Sequence, residues 1–403
     1  MPPIPPVLLR SSSHLPEHRV PPADWDQAPW NRWSFQHIRE VLPTVEVWRG
    51  RGPVSELPTA LEDIERIGFV RGDGTHTTVG RMLTDTWTDG FLVLHRGRIV
   101  AERYLNGMTE RTLHLSQSVA KSVTATVVGA LIERGKLDPL APVTHYLPEL
   151  EATAYKGARL QHVLDMTSGV RYSEVYTDRF SDVGITDVAS GWKPVPAEPP
   201  PTGAWPLTMW DQILSLQTLE AEHGARFEYR SIETDVLALC MERVTGRRLA
   251  QLVSDELWAP MGAEESACFT VDRAGYALAD GGFNATLRDY ARVGLLHLNR
   301  GVLNGRRIVP SEWIDDIRHG DHGLANDMLR ARMPNGCYRN QFWIADRAKA
   351  TAMCRGVFGQ LIYIAPEHDL VVVKLSSYPE ALNLELSADT QRAIDAIAAA
   401  LQS

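Results

Sequence analysis

Apolar residues recur at helical spacing over residues 118–136, the clearest pattern of hydrophobic and polar positions in this chain. The positions that would share one helical face are Val119, Val123, Val127, Ala130 and Leu131. Such a stripe is typical of a helix packed against a core. Gly135 and Pro139 follow it and favour the end of the helix. The pattern therefore predicts a largely buried helix that begins at Ser118.

Two pairs of β-prone runs lie on either side of the middle of the chain. Residues 91–94 and 98–104 are joined by His95-Arg96-Gly97 and predict an antiparallel hairpin just before the helix. Residues 360–364 and 370–376 flank a turn-forming segment and predict a second hairpin. The alanine-rich residues 386–401 predict a C-terminal helix.

The order of these elements predicts an α/β (α+β) fold in which helices flank an antiparallel sheet. Because the hairpins lie near both ends of the chain, we expect the sheet domain to be split. Residues 31–145 and 271–403 would form it, and residues 146–270 would form an inserted, mainly helical domain. The proline-rich residues 1–30 predict an N-terminal arm, lying on the surface or mobile, without a fold of its own.

The predicted insertion contains two short helices and one long loop. The helices span residues 160–166 and 233–244, and the loop spans residues 168–205. A loop of this length inside a compact domain is uncommon and often shapes a binding site.

Composition narrows the class of protein. The chain has 403 residues, 44% of them hydrophobic, and a formal net charge of −9. This balance argues against a nucleic-acid or anionic-membrane surface and favours a small-molecule partner. The N-terminus lacks a signal-peptide pattern and no apolar run could span a bilayer, so we expect a cytoplasmic protein.

We expect neither a metal nor a cofactor. The cysteines are widely scattered, without histidines at zinc spacing: Cys240, Cys268, Cys337 and Cys354. They are most simply reduced, unpaired cysteines. Two histidine pairs, in His14-Leu15-Pro16-Glu17-His18 and His319-Gly320-Asp321-His322, lack the helix that a metallohydrolase pair needs.

Ser118-Val119-Ala120-Lys121 places a serine and a lysine one helical turn apart, where an amine can act as the general base for a hydroxyl. Free backbone amides at a helix start also favour a developing negative charge. Ser118 as an N-cap residue, with Lys121 solvated, is the alternative that spacing alone leaves open. Ser190-Gly191-Trp192-Lys193 has the same spacing, but Gly191 and the prolines that follow disfavour a helix, so we interpret it as accidental.

An acyl-transfer site also needs a group that passes a proton to the leaving group, and tyrosine can do this. The best local candidate is Tyr229 in Phe227-Glu228-Tyr229-Arg230-Ser231, directly before an apolar helical run. Taken alone, a tyrosine in this position is more often an ordinary, partly buried tyrosine.

With these residues in view, the chain resembles the serine β-lactamase and penicillin-binding-protein superfamily, in its class C and esterase-like branch. Within that branch it looks most like the 6-aminohexanoate-dimer (nylon-oligomer) hydrolases. The matching segments, in order along the chain, are Asn31-Arg32-Trp33-Ser34-Phe35, Ser116-Gln117-Ser118-Val119-Ala120-Lys121-Ser122, Val127-Val128-Gly129-Ala130-Leu131, Val163-Leu164-Asp165-Met166, Thr234-Asp235-Val236-Leu237-Ala238, Gly281-Gly282 and Val373-Lys374-Leu375-Ser376-Ser377. The resemblance implies a β-lactamase/transpeptidase-like fold and a homodimer.

The resemblance implies a role for each of several residues. Ser118 corresponds to the nucleophile, Lys121 to the base and Tyr229 to the proton relay. The oxyanion hole corresponds to the backbone N–H groups of Ser118 and Val357. Gly356-Val357-Phe358-Gly359-Gln360 replaces the Lys-Thr-Gly element of true β-lactamases, which this chain lacks, so we expect weak or no β-lactamase activity.

The family's substrate-contacting positions fall on Glu174, Tyr176, Asp187 and Asp280. The resemblance implies that Tyr176 contacts the scissile amide and that an acid at Asp187 favours amides over simple esters. Acids here would hold a substrate ammonium through charge-assisted hydrogen bonds. Two positions depart from the family. Asp280 stands where histidine or asparagine is expected, and Phe358 stands where histidine is expected.

The sequence therefore predicts hydrolysis of a small linear amide through a Ser-Lys-Tyr acyl-enzyme. Burial of Lys121 is expected to lower its pKa and so favour the neutral base. Two alternatives stay open: a carboxylesterase for short acyl esters, and a catalytically silent ligand-binding protein of penicillin-binding type.

Overall fold

The computed structural model describes residues 20–201, 203–324 and 326–402. The strands among them are β1 (Thr44–Val47), β2 (Gly68–Val70), β3 (His76–Thr78), β4 (Thr88–His95), β5 (Arg98–Tyr104), β6 (His114–Leu115), β7 (Ala267–Thr270), β8 (Phe283–Ala285), β9 (Val302–Leu303), β10 (Arg306–Arg307), β11 (Cys337–Arg339), β12 (Phe342–Asp346), β13 (Thr351–Gly356), β14 (Gln360–Ala365) and β15 (Leu370–Ser376). Both predicted hairpins are confirmed by β4 with β5 and by β14 with β15.

The helices of the same ranges are α1 (Asn31–Ser34), α2 (Ile38–Val41), α3 (Val79–Asp85), α4 (Val119–Glu133), α5 (Val143–Tyr146), α6 (Leu160–Leu164), α7 (Asp182–Ala189), α8 (Met209–Ser215), α9 (Ile232–Thr245), α10 (Leu249–Val253), α11 (Leu287–Leu298), α12 (Ser311–His319), α13 (Asp327–Arg332) and α14 (Leu384–Ala400). The predicted helices over residues 118–136, 233–244 and 386–401 correspond to α4, α9 and α14. No helix in the described ranges combines the length and hydropathy that a membrane span needs.

A seven-stranded antiparallel sheet unites the two ends of the chain in the order β11-β12-β13-β14-β15-β4-β5. The turn between β4 and β5 has positive φ at both Arg96 (50°) and Gly97 (71°), as tight two-residue hairpins require. Helix α11 packs on β4, β14 and β15. The predicted antiparallel sheet flanked by helices is therefore present.

The predicted boundaries of the insertion stay a prediction. β7 lies at the end of the predicted insertion, yet it pairs with β1 and β8 in a second, four-stranded sheet.

The predicted loop over residues 168–205 is wrong in one respect, because it contains α7. The Ser181 hydroxyl caps this helix by accepting the Gly184 N–H at 3.2 Å.

The structure describes the predicted N-terminal arm only from residue 20 onward. Residues 1–19, which include His14 and His18, lie outside the described residues. In the described part, the Trp25 side chain is fully buried and meets the Trp192 ring edge-on, with 5.2 Å between the ring centroids. Residues near Trp25 therefore belong to the packed body of the protein.

Helix α4 is buried from Val119 to Leu131 and packs against α9, α10 and β13. Gly129 lets the Trp313 ring of α12 approach closely, because a Cβ at position 129 would lie 2.5 Å from that ring. Helix α4 is thus packed along nearly its whole length, and this packing fixes the position of Ser118 at its start.

Candidate active site

Ser118 lies at the N-terminal end of α4, but its side chain makes no capping hydrogen bond. The Ser118 Oγ instead accepts a hydrogen bond from the Lys121 Nζ at 3.0 Å. Gln117, directly before it, has a positive φ of 50°, so the chain enters the helix through a sharp turn. The N-cap interpretation of Ser118 therefore does not describe its side chain.

Lys121 is buried and donates two hydrogen bonds, one to Ser118 and one to the Asp280 carbonyl oxygen at 2.6 Å. The Asp280 carboxylate lies 3.9 Å from the same amine. Burial alone would lower the pKa of Lys121, but Tyr229, Asp280, Glu174 and Asp235 around it outweigh burial and raise that pKa above its ordinary value. The predicted lowering of the Lys121 pKa is therefore wrong.

Tyr229 precedes α9, whose first residue is Ile232, and its phenol is hydrogen-bonded with Ser118. Its ring stacks on Trp343 and meets Tyr338 edge-on. Burial raises the pKa of Tyr229, although the neighbouring Lys121 opposes this effect. Tyr229 is thus a neutral phenol at ordinary pH and can donate a proton.

β13 brings the backbone of Val357 to the start of α4. Gly356 at the end of this strand lies against Ser116, since a Cβ there would be 2.5 Å from the Ser116 carbonyl oxygen. Phe358 has a positive φ of 60°, and its N–H donates to the Ala381 carbonyl at 2.9 Å. Ser118 and Val357 both line one cavity of about 80 Å³.

The structure brings Tyr176, Asp187 and Asp280 to the wall of this cavity. Asp187 lies on α7, inside the stretch that was predicted to be loop. Glu174 lies beside Tyr176, with which it hydrogen-bonds, and it accepts the N–H of Ser231. All four predicted substrate positions therefore lie around the Ser118 hydroxyl and the Lys121 amine.

The carboxyl groups here are buried, and burial is the largest cause that raises the pKa of each one. Lys121 opposes the rise for Glu174 and for Asp280. The pKa of Asp187 rises to about 8, because Asp26 adds to the effect of burial. At neutral pH the Asp187 carboxyl group therefore holds a proton that an incoming cation can displace.

Sequence reasoning missed several residues of the cavity wall, among them Asp26, Gln27, Ser190 and Trp192. Ser190 and Lys193 do not form a second Ser-Lys pair, because the Ser190 Oγ donates to the Asp187 carbonyl and the Lys193 Nζ bonds with Asp26. No local pattern marks Asp26. The length of the loop after Met166 was the one signal for Ser190 and Trp192.

The four cysteines are all buried and unpaired. Within the described ranges, no three histidine, cysteine or acidic side chains are grouped as metal ligands. His322 instead accepts the N–H of Leu324 at 3.1 Å.

A sequence model of the beta-lactamase family matches residues 85–396. A 6-aminohexanoate-dimer hydrolase from Paenarthrobacter ureafaciens is 36% identical in an alignment of 392 residues, and the match covers 93% of this chain and 94% of the relative. The chain belongs to the 6-aminohexanoate-dimer hydrolase group of the beta-lactamase family. The predicted family membership is confirmed.

A solved structure from Bacillus anthracis, assigned as a 6-aminohexanoate-dimer hydrolase, has a TM-score of 0.85 and 30% identity. The match covers 96% of this chain and 98% of that one. Esterase EstB from Burkholderia gladioli is 27% identical over 257 residues, 60% of this chain and 62% of the relative. The β-lactamase/transpeptidase-like fold of this family member is confirmed, and its relatives include both amide and ester hydrolases by name.

Proposed function

We propose that this protein is a serine hydrolase that cleaves the amide bond of small linear substrates of the 6-aminohexanoate-dimer type. One observation carries the proposal. The Lys121 Nζ donates a hydrogen bond of 3.0 Å to the Ser118 Oγ, and the Tyr229 phenol is hydrogen-bonded with the same hydroxyl. The similarity to a 6-aminohexanoate-dimer hydrolase over 93% of the chain supports this substrate class.

In the first step the Ser118 Oγ attacks the amide carbonyl carbon, and its proton passes to the neutral amine of Lys121. The raised pKa of Lys121 means that the amine is charged in the free site at neutral pH. Each unit by which its pKa exceeds the working pH costs about 1.4 kcal/mol to reach the neutral form. We therefore expect the rate to increase with pH.

The backbone N–H groups of Ser118 and Val357 would bind the oxyanion of the tetrahedral intermediate. Both residues line the cavity beside the attacking hydroxyl, which supports this assignment. Such a donor contributes roughly 3 kcal/mol in hydrolases where one has been removed.

Collapse of the intermediate breaks the C–N bond, and the Tyr229 phenol gives its proton to the leaving nitrogen. Lys121 then returns the serine proton to the phenolate. Water attacks the acyl-enzyme with Lys121 and Tyr229 again accepting and relaying the proton, so Ser118 leaves as a hydroxyl. The products are one carboxylic acid and one amine, which balances the hydrolysis.

Glu174, Tyr176, Asp187 and Asp280 are proposed as the substrate-binding residues. Tyr176 and Asp187 line the cavity from the long segment after Met166, and Asp280 lines it beside Lys121. An amide substrate with a free ammonium would find carboxyl groups in this wall.

Intact-mass measurement with a fluorophosphonate tests the nucleophile. One covalent adduct is expected on the wild-type protein and none on Ser118→Ala. Ser190→Ala is the matched control, because it removes a second serine from the same cavity and should still be labelled. Labelling of Ser118→Ala would reject the nucleophile, and an unlabelled wild-type protein would favour the silent ligand-binding alternative.

A carboxylesterase is the second candidate, supported by the similarity to Esterase EstB. Ester and amide cleavage share the nucleophile and differ in the contacts made to the leaving group. Rates on linear 6-aminohexanoate dimer, a matched unactivated ester, a nitrophenyl ester and a cephalosporin separate the two candidates. Faster turnover of the dimer than of a matched unactivated ester supports the amidase, and the cephalosporin should be the poorest substrate.

We also propose a cytoplasmic location and a homodimer, with a small-molecule substrate as partner. Four buried, unpaired cysteines support a reducing compartment. The dimer rests on family resemblance and is tested by sedimentation.

A further inference from the structure

The described N-terminal segment, Ala23 to Gln27, forms part of the cavity wall. Asp26 and Gln27 line the same cavity as Ser118. Trp25 anchors the segment, because its ring is fully buried and its Nε1 donates to the Trp192 carbonyl at 2.7 Å. The position of Asp26 is therefore set by packing.

This segment already binds one primary ammonium group, that of Lys193. The Lys193 Nζ forms an ion pair with Asp26 Oδ1 and donates to the Ala23 carbonyl at 2.7 Å. The same nitrogen lies 6.0 Å from the centroid of the Trp25 ring. A carboxylate, a carbonyl and an aromatic face are the groups that hold ammonium ions in proteins.

The ion pair with Lys193 does not exhaust the acceptor capacity of Asp26. A carboxylate offers about four lone-pair positions on its two oxygens, and Lys193 contacts Asp26 through Oδ1. Asp187 faces the same cavity, close enough for Asp26 to be the largest charge that raises its pKa. On this side of the cavity the wall therefore carries two carboxyl groups, those of Asp26 and Asp187, beside the single ammonium group of Lys193.

We propose that Asp26 is a specificity-determining residue that selects substrates whose acyl half ends in an ammonium group. The inference rests on the proposed function, because it concerns the acyl group transferred to Ser118. In a linear aminohexanoate dimer the single free amine is on the acyl half, so this end would meet the wall formed by Asp26 and Asp187. Neutral acyl chains of the same length lack this partner.

A matched pair of anilides tests the proposal, 6-aminohexanoyl anilide and hexanoyl anilide, which differ in one terminal ammonium. Asp26→Asn should lower kcat/KM for the charged anilide roughly tenfold, as expected for one lost charge-assisted contact, through KM. It should leave the neutral anilide unchanged. Asp26→Glu, which keeps the charge, should restore most of the preference. An equal loss on both anilides, or no change in their ratio, overturns the proposal.

Binding to Ser118→Ala separates this proposal from the proposed function. Calorimetry should show tighter binding of the charged anilide, and the difference should be lost in the Ser118→Ala, Asp26→Asn double variant. If the wild-type protein cleaves neither anilide while this difference persists, the proposed hydrolysis fails and the role of Asp26 stands. Equal binding of the two anilides by Ser118→Ala overturns the role of Asp26.

Discussion

The Asp235 carboxylate accepts a hydrogen bond from the Ala279 N–H at 2.8 Å. Ala279 precedes Asp280, whose carbonyl oxygen accepts from the Lys121 Nζ at 2.6 Å. Asp235 on α9 thus positions the backbone that holds the Lys121 amine, although it does not line the cavity. Burial, and then the neighbouring Asp280, raise the pKa of Asp235 well above its ordinary value.

Replacement of Asp235 should therefore affect catalysis through Lys121. Asp235→Ala removes the acceptor for Ala279 and is expected to lower kcat roughly 10- to 100-fold, the scale of a small displacement of a catalytic group. Asp235→Asn keeps an uncharged oxygen of the same shape and should recover most of kcat. Steady-state kinetics and the pH profile measure both variants. An Asn variant as slow as the Ala variant contradicts the positioning role.

Asp280→Asn should shift the pH dependence of kcat/KM to lower pH. The Asp280 carboxylate lies 3.9 Å from the Lys121 Nζ and is among the charges that raise the pKa of Lys121. Removing that negative charge disfavours the ammonium form, so Lys121 becomes a neutral base at lower pH. Glu312→Gln, an exposed change on α12, should leave the profile in place. A shift to higher pH would reject Lys121 as the base.

The sequence predicted the elements and residues that local spacing determines. Ser118 and Lys121 lie one turn apart on α4, and Tyr229 lies just before α9, so their chemistry is visible in short segments. The contact between Asp26 and Lys193 joins residues 167 apart in sequence and has no local pattern.

The direction of the Lys121 pKa was missed for the same reason. Burial is a local expectation for a helix this apolar, but Glu174, Asp235 and Asp280 come from three other segments of the chain. Family resemblance named the substrate-binding positions without giving their charge balance. Helix α7 was missed because the prolines that follow it favour a loop, and this signal outweighed the helix start at Ser181.

Binding of an ammonium ligand should release protons from the site. Burial and Asp26 raise the pKa of Asp187 to about 8, so this carboxyl group is largely protonated at pH 7. A bound cation favours the ionised form and lowers that pKa, which expels the proton. Calorimetry of Ser118→Ala with 6-aminohexanoyl anilide, in buffers of different ionisation enthalpy, measures the release. Asp187→Asn should reduce it, and proton uptake would contradict this assignment.

Gly129→Ala should destabilise the protein although alanine is the better helix former. The added Cβ would lie 2.5 Å from the Trp313 ring, which is buried and cannot move freely. Overpacking typically costs about 1–3 kcal/mol, against a helix-propensity gain of about 1 kcal/mol. We therefore expect a net loss of stability, measured by urea unfolding. Gly52→Ala, where a Cβ meets nothing within 4 Å, is the control and should be neutral. Equal stability of the two variants would mean that α12 moves away from α4 without cost.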